Sequence, residues 1–278
     1  QDEHIDVYLL HSLNANLWRT LLENDVLESA AKAQADGRIG QLAFSFHDSL
    51  EAFRTIVDGY DRWAMCQIQY NYMNEEVQAG TEGLRYAASK GLAVVIMEPL
   101  LGGRLVNPPQ AVREAWEAGP VQRTPAEWAL QWLWNKPEVS VVLSGMSTMT
   151  QVEENLASAS RSGVGTMSAE EEETVVRARE AYAGLSPIPC TKCEYCLPCP
   201  SGVNIPGNFE IYNEGRMYAV PERARHRYQR LPDGSRASDC VACRQCEERC
   251  PQGIPISEWM PTVHEVLGEA APWADSPR

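Results

Sequence analysis

The sequence predicts an α/β fold built on a parallel sheet, followed by a small cysteine-rich domain. Three observations predict it. Five short apolar runs alternate with helical stretches between residues 5 and 160. Several of those runs are apolar at nearly every position, the pattern of strands buried on both faces. Of nine cysteines, eight fall between residues 190 and 250, which leaves Cys66 alone in the alternating part. Strand–helix alternation of this kind calls for crossover helices, hence parallel strands.

The apolar runs are IDVYLLH (5–11), IGQLAFSFH (39–47), AMCQIQYN (64–71), LAVVIMEPL (92–100) and VSVVLSG (139–145). Helical stretches are expected near 24–36, 49–58, 76–90, 124–136 and 149–160. Gly37, Gly91 and Asn135-Lys136-Pro137 punctuate helix ends before strands. Trp128 and Trp132, with Leu130 and Leu133, fall at helical spacing and read as a helix packed on the sheet. A further helix is expected over 168–184, where Ser168 and Glu171 make a capping box and the acidic first turn suits the helix dipole. SPIP (186–189) reads as a hinge, the Arg-rich stretch 216–239 as a polar link, and the tail APWADSPR as loose. The expected domains are therefore 1–186 and 187–278.

Composition bounds the function. The chain has 278 residues and is 44% hydrophobic, which excludes a disordered chain. No run approaches the ~18 consecutive apolar residues of a spanning helix, so no membrane insertion is expected. The start, QDEHIDVYLL, has no basic n-region, no cleavage signal and no Met, and reads as a cut end. Net charge is −14, a poor basis for binding nucleic acid. Residues 188–278 hold 10 Lys/Arg and 12 Asp/Glu, so nearly all of the deficit belongs to residues 1–187.

The cysteines carry the strongest chemistry. Cys240, Cys243, Cys246 and Cys250-Pro251 have the C-x2-C-x2-C-x3-C-P spacing of bacterial ferredoxins. Cys190, Cys193, Cys196 and Cys199-Pro200 repeat it with one residue fewer in the last gap. Iron–sulfur cubes need soft thiolate ligands, and short loops let three of them meet one cube. Eight thiolates suffice for two [4Fe–4S] clusters. By analogy with two-cluster ferredoxins, Cys190, Cys193 and Cys196 take Cys250 as fourth ligand, and Cys240, Cys243 and Cys246 take Cys199. Zinc remains an alternative, because paired CxxC units also make tetrahedral sites. Disulfides are not expected without a secretion signal. Cys66, in an apolar strand, reads as an inert buried thiol.

IDVYLLH, the PL-x-GG-x-L of Pro99 to Leu105, and S-G-M-S-x-x-x-Q-V-E-E-N from Ser144 to Asn155 occur in the order and spacing of one family. Residues 1–160 resemble the second half of an aldo/keto reductase. With its tail, the chain is similar to members that carry a C-terminal 4Fe–4S ferredoxin-type domain. The resemblance implies a (β/α)8 TIM-barrel-like domain of which the C-terminal five βα units are present, followed by a small α-helical ferredoxin-like two-cluster domain. A closed barrel needs eight strands, so roughly a hundred residues, three βα units, are expected upstream.

The family transfers a hydride from a nicotinamide, usually NADPH, to a carbonyl, using an Asp, a Tyr, a Lys and a His. His11 matches the histidine and would orient a small carbonyl substrate. The other three have no counterpart in this sequence, so the chain alone reads as an inactive fragment. His11 also ends an apolar run at the C-terminal end of a strand, the face where barrel active sites gather. His4, His47, His226 and His264 read as surface or loop residues. The resemblance further implies that Ser45 and Gln67 hold the nicotinamide carboxamide, with Phe46 where the family often has Asn. Met97 stands where a stacking Tyr is common. Pro99, Leu100, Gly102 and Gly103 match the loop along the pyrophosphate. Gly145, Met146, Ser147, Gln151, Glu154 and Asn155 match the segment that grips the adenosine, and a loop feeding a helix N-terminus suits a phosphate. Gly145 and Gln151 are neutral where many members place Lys or Arg, which leaves NADPH and NADH both open.

The expected function is therefore an NAD(P)H-dependent oxidoreductase of aldehydes or ketones with an appended iron–sulfur domain. One alternative is an electron-transfer module that uses an inactive barrel as a docking scaffold; another is a zinc-stapled binding protein. The run Arg223, Arg225, Arg227 and Arg230 is either a solvated face or a dock for an acidic redox protein partner. Exposed thiolate loops call for a reducing compartment, so the expected location is the cytoplasm.

Overall fold

The computed structural model describes residues 4–278. The chain divides into two compact units. One comprises residues up to Val106 together with Gly119–Val175, and the other Asn107–Ala118 together with Val176–Arg278.

The first unit is the expected α/β part. Its strands are β1 (Ile5–Leu13), β2 (Ile39–Phe46), β3 (Trp63–Gln69), β4 (Ala93–Met97) and β5 (Val141–Val142). All neighbouring pairs are parallel and the spatial order is the chain order, β1-β2-β3-β4-β5. Among the described residues β1 pairs only with β2, and β5 only with β4. In chain order the helices between strands are α1 (Ala15–Glu23), α2 (Val26–Ala35), α3 (Leu50–Asp58), α4 (Gly80–Ser89), α5 (Gln110–Glu117) and α6 (Pro125–Trp134), of which α5 belongs to the second unit. α7 (Met149–Ala159) and α8 (Ala169–Ala183) follow.

Local chemistry starts these helices where it should. Asn14, Ser49 and Thr124 each accept a backbone N–H from the first turn of α1, α3 and α6. Each such cap contributes about 1 kcal/mol. The Ser168–Glu171 box forms in both directions, at 2.6 and 3.2 Å. The central strands are buried: Leu42, Ala43, Phe44, Phe46, Cys66, Ile68 and Val94 have no or almost no exposed surface. Phe44 meets Trp63 edge-on at 4.8 Å and Phe46 meets Phe53 at 5.0 Å, so β2, β3 and α3 share one aromatic core. Trp128, Leu130, Trp132 and Leu133 of α6 are buried, as their spacing predicts.

Several boundaries differ from the sequence reading, and α5 lies outside the helical stretches it expects. The helix expected near 24–36 is preceded by another, α1, and the two are separated at Asp25, which turns left-handed at φ 53°. The strand expected over 92–100 stops at Met97, because Glu98 also turns left-handed at φ 53° and breaks the extended run. The last strand shrinks to Val141–Val142, an edge with a partner on one side only, and Val141 is exposed.

The second unit is helical. α9 (Ile205–Met217), α10 (Pro221–Gln229) and α11 (Ile256–Gly268) pack around Phe209, Tyr212, Tyr228, Trp259, Met260 and Val263. A short 3-10 turn at Ala237–Asp239 leads into the second cysteine group. The stretch read as a polar link is thus largely structured. Ala224 and Tyr228 point into the core, while Arg225 donates to the Val266 carbonyl and Arg227 pairs with Glu214. SPIP is not a hinge. Ile188 is buried, and its backbone N–H and C=O both bond the side chain of Asn213. Nor is the tail loose. Tyr212 packs against Trp273 at 4.6 Å, its hydroxyl donates to the Ala274 carbonyl, and the Arg278 N–H reaches Thr262 Oγ1. Aromatic burial of Trp273 offsets the ordering cost that composition alone suggested.

Candidate functional site

Parallel strands deliver their C-terminal ends to one rim of a sheet, and four residues on successive strands line up there. β1 departs from regular register between Leu10 and Leu13, where Ser12 turns left-handed at φ 53°. That irregularity points the Ser12 N–H at Ser45 Oγ, 2.7 Å away. Ser45 Oγ lies 3.4 Å from His11 Nδ1. Ser45 is paired in register with Gln67 on the next strand. Gln67 Nε2 in turn donates to Met97 Sδ at 3.6 Å, a weak bond to a soft acceptor. His11, Ser45, Gln67 and Met97 therefore span β1 to β4 in order.

Met97 joins this row to a cleft of about 440 Å³. One wall is the loop after β4, with Glu98, Pro99, Leu100, Gly102 and Gly103; the other is the segment after β5 and the start of α7, with Ser144, Gly145, Met146, Gln151, Glu154 and Asn155. The first wall is a run of left-handed backbone at Glu98, Leu101, Gly102 and Gly103. At Gly103, φ is 84° and nothing lies within 4 Å of where a Cβ would stand, so the glycine serves the turn and leaves its face open. The second wall is braced by Asn155 Nδ2, which donates to Ser144 Oγ at 2.9 Å.

The start of α7 is closed by its own side chains. Thr148 Oγ1 accepts the Gln151 N–H, and Gln151 Oε1 accepts the N–H groups of Ser147 at 2.8 Å and Thr148 at 3.2 Å. No Lys, Arg or His lines the cleft, whereas Glu98 and Glu154 do. His11, Ser45, Gln67 and Ser147 lie outside its lining.

Sequence reasoning passed over Glu98, Val106, Ala126 and Leu143 in the cleft wall. It also passed over Asn71, which is fully buried. Asn71 Nδ2 donates to the Glu98 carbonyl and its Oδ1 accepts the N–H groups of Met73 and Asn74, so it pins the base of the cleft loop. The available signal was an amide residue directly after an apolar strand. Of the histidines set aside, His226 and His47 are exposed and His4 bonds the Gly37 carbonyl. His264 is instead a helix residue, on α11, with Nδ1 2.9 Å from the Tyr228 hydroxyl.

The second centre is built from cysteines, and all eight are free of disulfides. Cys190, Cys193, Cys196 and Cys250 line one pocket with Ile205, Pro206, Phe209, Ile254 and Ile256. Burial pushes the Cys190 and Cys196 thiols upward, and the neighbouring sulfurs that push the same way include Cys193 and Cys250. Burial pushes Cys246 to about 11, with Cys240 and Cys199 among its charged neighbours.

The two loops repeat one backbone shape. Lys192 and Glu194 are left-handed in the first, and Ala242 and Arg244 at the equivalent places in the second. Such turns aim successive N–H groups inward, as nests around iron–sulfur sites do. The Ala242 N–H already reaches Cys240 Sγ at 3.4 Å. Among the described residues, no three His, Cys, Asp or Glu side chains are gathered for a single metal ion. An iron–sulfur cube carries iron at four corners, each taking one cysteine. Soft donors, inward N–H groups and an apolar rim fit such a cube.

The aldo/keto reductase family model matches residues 1–176, and a 4Fe–4S dicluster domain model matches residues 189–254. No curated protein matches the chain. Among solved structures, the chain is similar to the holo form of aldo-keto reductase AKR11C1 from Bacillus halodurans, at 19% identity and a TM-score of 0.52. That match covers 63% of this chain and 59% of the Bacillus protein, so the chain spans about three-fifths of its length. The apo form of the same enzyme matches at 19% identity and a TM-score of 0.50, over 63% of this chain and 62% of that one. An aldo-keto reductase from Klebsiella pneumoniae in complex with NADPH matches at 23% identity and 0.46, over 63% and 58%. The likeness to the Bacillus enzyme speaks for the TIM-barrel-like fold of the first part.

Proposed function

The chain belongs to the aldo/keto reductase family and carries a 4Fe–4S dicluster domain, and on that premise we propose that the protein is an oxidoreductase that reduces an aldehyde or ketone with NAD(P)H. The domains are 1–186 and 187–278. The observation that carries the reading is the convergence of residues 97–103 and 144–155, remote in sequence, on one cleft at the strand ends. Ligands in parallel α/β proteins bind at that face.

When bound, the nicotinamide supplies a hydride to the carbonyl carbon. The chain's own residues bind and orient. Ser45 and Gln67 hold the carboxamide, and Met97 gives the ring a soft apolar floor. Pro99, Leu100, Gly102 and Gly103 let backbone approach the pyrophosphate. Gly145, Met146, Ser147, Gln151, Glu154 and Asn155 hold the adenosine end. His11 turns Nε2 toward the substrate oxygen. The proton donor in this reading is the family's Tyr, assisted by a Lys and an Asp.

In the second domain, Cys190, Cys193, Cys196 and Cys250 hold one [4Fe–4S] cluster and Cys199, Cys240, Cys243 and Cys246 the other. Clusters of this kind move single electrons. Arg223, His226 and Arg230 are exposed at positions that share one face of α10, which suits an acidic redox protein. Cluster assembly and thiol maintenance place the protein in the cytoplasm.

The second reading is an electron-transfer module on an inactive barrel. It is favoured by Met97, which cannot stack on a nicotinamide as a Tyr does. Full-length, cluster-loaded protein should show saturable nicotinamide binding and carbonyl-dependent oxidation of the reduced cofactor. Binding without turnover selects the scaffold, and zinc with no iron on metal analysis overturns the cluster assignment.

A further inference from the structure

We propose that Glu247 makes the two clusters unequal: its carboxylate holds the cluster on Cys240, Cys243, Cys246 and Cys199 at the lower reduction potential, so that a single electron settles on the other. This rests on the reading of the eight cysteines as ligands of two [4Fe–4S] clusters.

The backbone does not distinguish the two loops. Lys192 and Glu194 in one, and Ala242 and Arg244 in the other, are left-handed at equivalent places. The side chains do distinguish them. After the third cysteine stands Leu197 in the first loop and Glu247 in the second. Of the charged residues within 190–199 and 240–250, Lys192, Glu194, Arg244, Glu248 and Arg249 are exposed, and Glu247 alone is half-buried. Water and salt screen the exposed charges. Glu194 lines the first cluster's pocket and works in the opposite sense, but it is one of those screened. Lys192 is offset by Glu210, 2.8 Å away.

Glu247 is also fixed in place. α11 starts after Pro255, which has no side-chain acceptor to cap it. Glu247 Oε1 reaches over from the cluster loop and accepts the Ser257 N–H at 2.7 Å. α9, which follows the first loop, is capped by the neutral amide of its own Asn204, whose Oδ1 accepts the Gly207 N–H. A helix N-terminus favours a carboxylate as the anion. The second loop thus carries a fixed negative charge on the residue next to a cluster ligand, and the first carries an apolar side chain there. Reduction of [4Fe–4S]2+ to [4Fe–4S]+ takes one electron from a donor and moves no proton. A neighbouring anion opposes that added charge and lowers the potential.

The test is an anaerobic redox titration of full-length, cluster-loaded protein with dithionite, followed by paramagnetic resonance. Iron analysis first checks for about eight atoms per chain. Two one-electron steps are expected, and Cys190→Ala, which leaves only the second cluster, should retain the lower one. Glu247→Gln keeps an acceptor oxygen for the Ser257 N–H and removes the charge. At fixed potential it should move the lower step about 10-fold toward the reduced form, which is about 59 mV, and the upper step less. A purely structural cap would move neither step, because the amide keeps the hydrogen bond. Circular dichroism and iron content check that the variant is folded and loaded. If it is not, Leu197→Glu decides, because the added charge should lower the first cluster's potential by a similar factor. An unmoved potential in the loaded variant, or a lower step that belongs to the first cluster, overturns the inference and leaves both clusters in place. About four iron atoms per chain, or none, overturns the two-cluster reading and the inference together.

Discussion

Ser45 Oγ lies 3.4 Å from His11 Nδ1, although 34 residues separate them in sequence. The same oxygen accepts the Ser12 N–H at 2.7 Å. With a lone pair so engaged, the serine's own hydrogen is free to point at Nδ1. Where that hydrogen is donated to Nδ1, the imidazole proton sits on Nε2, the tautomer that donates to a carbonyl oxygen. Ser45→Ala should lower kcat/KM by about 10-fold, equivalent to about 1.4 kcal/mol. Nitrogen-15 shifts of His11 should move toward a tautomer mixture in the variant. An unchanged imidazole spectrum would mean that Ser45 acts on the cofactor alone.

The pocket shared by Cys190, Cys193, Cys196 and Cys250 makes a pairing prediction. Cys190→Ala and Cys250→Ala should abolish the same cluster signal in paramagnetic resonance of the reduced protein, and Cys199→Ala the other. Each should halve iron content, from about eight atoms per chain to about four. If Cys250→Ala and Cys246→Ala removed one common signal, the fourth ligand would belong to its own loop.

Cys66 is fully buried, and burial pushes its thiol from 9.0 up to about 12. Between those values the unfolded chain loses this proton and the folded one keeps it. Stability from this group is therefore complete below pH 9 and is lost as pH rises toward 12. The slope is about 1.4 kcal/mol per pH unit. Burial likewise pushes Tyr70 to about 12, so the comparison must be with a variant. Urea unfolding of wild type and Cys66→Ala should converge as pH rises from 9 toward 12, because only wild type carries the Cys66 penalty. In the native state near pH 8, peptide mapping after iodoacetamide treatment should find Cys66 unmodified.

Gly215 marks the tightest helix contact of the second unit. A Cβ there would stand 2.5 Å from Trp273 Cη2 and 2.6 Å from Ala224 Cβ. Gly215→Ala should cost about 1–3 kcal/mol despite alanine's better helix propensity. Proteolysis should then release the tail that Trp273 anchors. Deleting Trp273 as well should restore much of the loss; no rescue would place the strain at Ala224.

What sequence alone determined about this protein is what neighbouring residues decide. Alternating apolar runs and helical stretches specified a parallel sheet, because burial on both faces leaves few polar positions in a central strand. Ser168 could be read with Glu171 as a helix start, because a cap acts within three residues. Eight thiols in two short loops announced iron–sulfur ligation, because ligand spacing is local chemistry. Tertiary structure alone decided which distant groups meet: Ser45 with His11, Gln67 with Met97, Trp273 with Tyr212. It also decided that Gln151 turns back on its own helix instead of outward. Such choices depend on whether packing and hydrogen bonds, summed over the whole unit, offset the entropy of closing long loops. No window of the sequence contains that sum.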